Sequence, residues 1–109
     1  MKPICEINEF GTILWSKNSK LHREDGPAYE FISGTKEWWI NGFLHREDGP
    51  AIEFVNGDRY WWLNGKCHRD DGPAIEKVSG YKSWYYHGKQ INCKDNQEFL
   101  RMIKLMAFL

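Results

Sequence analysis

Apolar and polar residues alternate along this chain in short bursts, and the bursts recur every 23 residues. The stretch Leu44 to Asn64 shows one full unit. In Ala51–Val55, Ile52 and Phe54 point one way and Ala51, Glu53 and Val55 the other, which predicts a strand. Asn56-Gly57 follows and predicts a type I′ turn, whose two central residues both need positive φ. Asp58–Leu63, rich in Tyr and Trp, predicts the return strand. Asn64-Gly65 then opens a longer polar connection through His68-Arg69 to Asp71-Gly72-Pro73. Pro73 cannot donate to a ladder, so it marks a strand boundary.

The register is unbroken from Gly11 to Gly88. Trp15, Trp38, Trp61 and Trp84 are spaced 23 apart, and Gly11, Gly34, Gly57 and Gly80 precede them by four residues. His22, His45 and His68 keep the same spacing, as do Asp25, Asp48 and Asp71, and Glu30, Glu53 and Glu76. A fixed period of this length marks stacked supersecondary units. The expected fold is mainly all-β: an antiparallel meander of four 23-residue β-hairpin repeats, about eight strands, over about residues 4–88. One repeat domain is expected to span residues 1–109. The first hairpin, roughly Ile4 to Lys17, is degenerate, with Ser19 where later units have glycine, as terminal repeats commonly are. The fourth, Ala74 to Tyr86, ends in His87-Gly88, and Ile91 and Asn92 stand where the next His-Arg would fall.

The pattern then changes to a helical one. Asp95-x-x-Glu98 resembles a capping box, and a helix is expected over about 95–108. Phe99, Leu100, Met102, Ile103, Leu105, Met106, Phe108 and Leu109 leave only Gln97, Arg101 and Lys104 as a polar stripe. So apolar a helix needs cover on two sides, as a cap over one sheet face with surface left for a partner or a second copy.

A two-residue turn sets the expected faces. With Val55 opposite Asp58, Phe54 meets Arg59 and Ile52 meets Trp61, while Glu53 meets Tyr60 and Ala51 meets Trp62. The first face then holds Tyr29, Phe31, Trp38, Ile40, Leu63, Ile75, Trp84 and Tyr86, and is assigned to core and helix. The second holds Ala28, Ala51 and Ala74 beside Trp39, Trp62 and Tyr85, with Glu30, Glu53 and Glu76 in a row that Lys36, Arg59 and Lys82 do not reach. That comb of rings and carboxylates is the expected binding surface.

Composition narrows the function classes. Lys plus Arg and Asp plus Glu each number 15, which argues against steering toward nucleic acid or an anionic membrane. Cys5, Cys67 and Cys93 include no C-x-x-C, so reduced thiols and a cytoplasmic location are expected. The N-terminus lacks a signal-peptide core, and no apolar run approaches the roughly 20 residues of a membrane span.

His-Arg-x-Asp is the most chemically suggestive element: a base, an anion clamp and an orienting carboxylate. It recurs in identical positions, however, and catalysis needs one convergent constellation. His22, His45, His68, Asp25, Asp48 and Asp71 are therefore read as loop-locking residues, with no catalytic residue assigned. The histidines, about 10 Å apart by strand spacing, cannot share a metal held at about 2 Å, so neither metal nor cofactor is expected.

The unit as a whole, Trp38-Trp39 through Glu53 and Trp61-Trp62 through Glu76, fits WW-x-NG-x-x-HR-x-DGPA-x-E. It resembles the MORN-type repeats and their bacterial variants, which build single-layer antiparallel sheets, and the likeness covers nearly the whole chain. The HR-x-DGPA loop departs from the standard MORN pattern, so the lipid and membrane-junction roles of MORN proteins are not carried over. Chains of this subgroup are similar to small proteins of bacteriophages and large DNA viruses. The expectation is a non-enzymatic binding module that binds and inhibits or modulates a host protein, such as a defence factor, in the host cytoplasm. Trp39, Trp62, Tyr85, Glu30, Glu53, Glu76, Arg23, Arg46 and Arg69 are the candidate binding residues. The alternatives are a sponge for a small nucleotide or other anion, held by the arginines and stacked rings, and a hydrolase-like enzyme using a His/Asp pair.

Overall fold

Two kinds of turn alternate along the chain and fix every strand. In the first, Gly57 N–H donates to Phe54 O (2.9 Å) and Phe54 N–H to Asp58 O (3.0 Å). Gly57 takes φ of +99° while Asn56 stays out of the left-handed region. This is a three-residue loop closed by a glycine bulge, which needs one left-handed residue rather than two. Phe31/Thr35 and Lys77/Tyr81 close the same way. The type I′ turn expected at Asn56-Gly57 is therefore absent, and each cross-strand pair slips by one. Glu53 stands opposite Arg59 and Ile52 opposite Tyr60. The second kind is the true type I′ turn, with positive φ at Asn41-Gly42 (50° and 81°), Asn64-Gly65 (51° and 77°) and His87-Gly88 (51° and 85°). What reads in sequence as a long polar connection begins as a tight second hairpin.

The computed structural model describes residues 2–107. The wide hairpins are β1 (Ile4–Ile7) with β2 (Ile13–Lys17), β4 (Tyr29–Glu30) with β5 (Lys36–Glu37), β8 (Ile52–Glu53) with β9 (Arg59–Tyr60), and β12 (Ile75–Glu76) with β13 (Lys82–Tyr86). They lie side by side in one antiparallel meander, extended by β14 (Lys89–Ile91), with β3 (Lys20–Leu21) paired to the end of β2. Two narrow hairpins stand apart from this sheet, β6 (Trp39–Ile40) with β7 (Phe43–Leu44) and β10 (Trp62–Leu63) with β11 (Lys66–Cys67), while β2 with β3 and β13 with β14 close through equally tight turns. The expected meander is present, and among the described residues its strands number fourteen rather than about eight, because return strands divide at Trp38 and Trp61 and the tight turns add short strands. The return strand changes partner at each repeat tryptophan. Trp38 N–H donates to Ala51 O (2.8 Å) and its carbonyl accepts from His45 N–H (3.0 Å). Trp15 and Trp61 do the same with Ala28 and His22, and with Ala74 and His68. The result is a slab of 46 × 32 × 17 Å. Its radius of gyration, 15.6 Å, exceeds the roughly 13 Å of a compact domain this long.

The one-residue slip re-sorts the faces. Alternation from the observed pairs puts Glu53, Arg59, Trp61 and Leu63 on one face and Ile52, Tyr60 and Trp62 on the other. Both expected faces therefore mix residues of opposite sides. Glu30, Lys36, Glu53, Arg59, Glu76 and Lys82 stand opposite one another in turn, a ribbon of alternating charge across the sheet. Ala28, Ala51 and Ala74, expected on a binding surface, are fully buried.

Helix α1 spans Asn96–Met106, and the Asp95 half of the expected capping box forms: Asp95 Oδ1 accepts from Glu98 N–H (2.8 Å), whereas Glu98 Oε1 accepts from Lys94 N–H (3.3 Å), one residue before the N-cap. Phe108 and Leu109 lie outside the described residues. The helix packs on the last hairpin, with Phe99 against Trp84 and Ile91, and does not cover a whole sheet face as expected. Leu100 and Leu105 remain exposed.

Candidate functional site: arginine locks, loop grooves and an aromatic cleft

Each polar loop is built around one arginine. Arg46 donates through Nε to Asp48 (3.1 Å) and through Nη1 to Pro50 O (3.0 Å) and Glu53 (2.9 Å). Its guanidinium lies 3.8 Å over the Trp38 ring. Arg69 repeats the arrangement with Asp71 (2.8 Å), Pro73 O (3.1 Å), Glu76 (3.1 Å) and Trp61 (3.9 Å). Arg23 reaches Asp25, Pro27 O and Trp15, and no ion pair to Glu30 forms among the described residues. The glycine after each aspartate makes the space: a Cβ on Gly49 would stand 3.0 Å from Arg46 Cζ. A planar fork that stacks and bonds in its own plane requires arginine rather than lysine.

The histidines join one repeat to the next. Nδ1 of His22, His45 and His68 accepts the backbone N–H of Asn41 (3.0 Å), Asn64 (3.0 Å) and His87 (2.7 Å). Each acceptor meets the first residue of the following type I′ turn. That bond places the ring proton on Nε2. Arg23, Arg46 and Arg69 N–H groups also donate to Trp39 O, Trp62 O and Tyr85 O of the next unit. Burial chiefly, and the nearby His87 second, hold His68 below the ordinary histidine pKa against the opposing pull of Asp70. Asp25, Asp48 and Asp71 accept from arginine Nε, and among the described residues none of the three bonds a histidine.

The carboxylate row also differs from expectation. Glu53 and Glu76 are held by Arg46 and Arg69 and face Lys36, Arg59 and Lys82 across the ladder. The same register slip explains the difference. Trp39, Trp62 and Tyr85 stand on the opposite face from these charges. Trp62 and Tyr85 share an open cleft of about 360 Å³ with Tyr60, Ile75 and Cys67. Burial pushes the Cys67 thiol up to about 11, so it is not ionised near neutral pH. Trp39 Nε1 donates to Glu37 (2.9 Å), whereas the buried Trp62 Nε1 has no partner among the described residues. Tyr60 stands where Glu37 stands one repeat earlier.

On the loop face, grooves lie between successive loops. One of about 600 Å³ has Trp61 and Leu63 along one side, with Arg46, Glu47, Asp48 and His68 to Asp71 around it. Its counterpart one unit earlier, about 410 Å³, has Trp38 and Ile40. The third loop residue, Glu24, Glu47 or Asp70, was not singled out in sequence, yet it is exposed at each rim. Its recurrent acidity was the available signal. Among the described residues no group of three His, Cys, Asp or Glu is placed to hold a metal, and no helix is long and apolar enough to cross a membrane. Compared with known proteins, the chain matches no family model, no curated protein and no solved structure.

Proposed function

We propose that this chain is a non-enzymatic binding module that docks a host protein on the sheet face carrying Trp62 and Tyr85. The observation that carries this reading is the unequal state of the two faces. Loop arginines, histidines and most neighbouring carboxylates are committed to bonds within and between repeats. On the other face, Tyr60, Trp62, Ile75 and Tyr85 line an open and largely apolar cleft. Tryptophan and tyrosine in such settings dominate binding energies because they bury much area with little loss of rotamer freedom. Each arginine already faces one or two carboxylates, which leaves little unbalanced positive charge for an anionic ligand and favours a protein partner over a nucleotide. The resemblance to small phage and viral proteins supports a host target, such as a defence factor, met in the host cytoplasm.

The test is capture from host lysate with parent chain, Trp62→Ala and Tyr85→Ala, with far-ultraviolet circular dichroism to check folding. The expected result is one specific protein retained by the parent and lost by both folded variants. Capture unchanged by both substitutions, or a co-purifying small molecule lost in Arg46→Ala with no protein partner, would contradict the proposal.

A further inference from the structure

The loop face offers a second surface, independent of the aromatic cleft. Two grooves lie in phase along the meander, flanked by Trp38 and Ile40 in one and by Trp61 and Leu63 in the next. Three loops bound them, and their rims are acidic. Residues 22–25, 45–48 and 68–71 hold three arginines against six carboxylates, which leaves three negative charges with histidine neutral. The arginines direct Nε and Nη1 inward to the locks, while Glu24 and Glu47 are 78% and 81% exposed. Asp70 is exposed at the equivalent place.

Spacing selects the occupant. Equivalent loops are two strands apart, about 10 Å. A polyproline II segment has three residues per turn at about 3.1 Å each, so its side chains return to the same side every ~9.3 Å. A β-strand covers the same distance in three residues but turns its side chains to the opposite face. Polyproline II also has no internal hydrogen bonds to break and docks in aromatic-lined grooves. We propose that the loop face binds a basic polyproline II segment with Lys or Arg at every third position. The cations would meet the Glu24, Glu47 and Asp70 rims, and the residues between them the Trp38–Ile40 and Trp61–Leu63 walls.

The experiment is a fluorescence-anisotropy titration of labelled (Arg-Pro-Pro)3 with the full chain. Comparison peptides are one of equal composition with its arginines in a block, and a helical one with arginine at every seventh position. The in-phase peptide is expected to bind about tenfold tighter than either. The combined Glu24→Gln, Glu47→Gln and Asp70→Asn variant is expected to weaken it by about tenfold. Trp62→Ala, folded by circular dichroism, is expected to leave it unchanged, so failure here and failure of the aromatic-face reading are separable. Equal binding of the block peptide would reduce the effect to unspecific charge attraction and overturn the proposal. Tighter binding of the helical peptide, or loss of binding in Trp62→Ala, would overturn it as well.

Discussion

Trp61 and Trp84 hold the same position in successive units, yet they are covered by different chemistry. Trp61 lies under the Arg69 guanidinium at 3.9 Å, within a lock that Asp71 and Glu76 complete. Trp84 lies against Phe99 and Ile91, and its Nε1 donates to Asn96 (3.1 Å). The arginines come eight residues after each tryptophan, and after Trp84 that position is Asn92. Phe99 falls where Glu30, Glu53 and Glu76 fall in earlier units. Asn96 Nδ2 also reaches back to Asp71 O (3.3 Å), so the helix start ties itself to the preceding loop. A hydrogen-bonded, charged lid leaves a polar rim on which the next unit can dock. An apolar lid needs a helix to shield it and ends the series.

The largest expected effect is at the apolar lid. Phe99 is fully buried, and Phe99→Ala should lower unfolding free energy by about 3–5 kcal/mol in urea titrations. The charged lid should be worth less, because its Asp71 carboxylate is largely exposed and Glu76 is only partly buried. Arg69→Ala is expected to cost about 2 kcal/mol, with Arg69→Lys recovering under half since lysine lacks the planar fork. Arg23→Ala should cost about 0.5 kcal/mol less than Arg69→Ala, because among the described residues Arg23 pairs with one carboxylate and Arg69 with two.

The inter-repeat clasp predicts a smaller, pH-dependent effect. His68 is held below the ordinary value of 6.5, so folding favours its neutral form. That stability is fully present above the ordinary value and is lost as pH falls through the lower folded value. Urea midpoints should therefore drop between about pH 7.5 and about pH 5.5, and His68→Asn should show a shallower drop. A last contrast is between the two indoles. Trp39→Phe loses the bond to Glu37 and should cost about 1 kcal/mol more than Trp62→Phe, which only removes an unpaired donor.

The period and the Asp95 cap of the helix were legible in sequence, because each depends on residue types at fixed spacing. Register was not. Asn56-Gly57 carries the same dipeptide as Asn64-Gly65, but its counterparts are Phe10, Ser33 and Ser79, whereas Asn18, Asn41 and Asn64 recur. The recurrent asparagines, with His87 in the fourth unit, adopt the left-handed conformation that a type I′ turn demands, and Asn56 does not. Comparing turns across units, rather than reading one unit alone, would have moved the tight hairpin to its place. It would also have brought the Glu53 carboxylate onto the Arg46 side. The Trp62 and Tyr85 cleft was half legible: its rings could be named, but the charges assigned beside them stand on the other face.

The central claim is that the loop arginines lock the repeats by stacking on the tryptophans. The most direct test is a double-mutant cycle in urea unfolding, with Arg46→Ala, Trp38→Leu and the combination. The account predicts a coupling of about 0.5–1.5 kcal/mol between the two sites. Strict additivity, with Arg46→Ala alone no less stable than the parent chain, would contradict it.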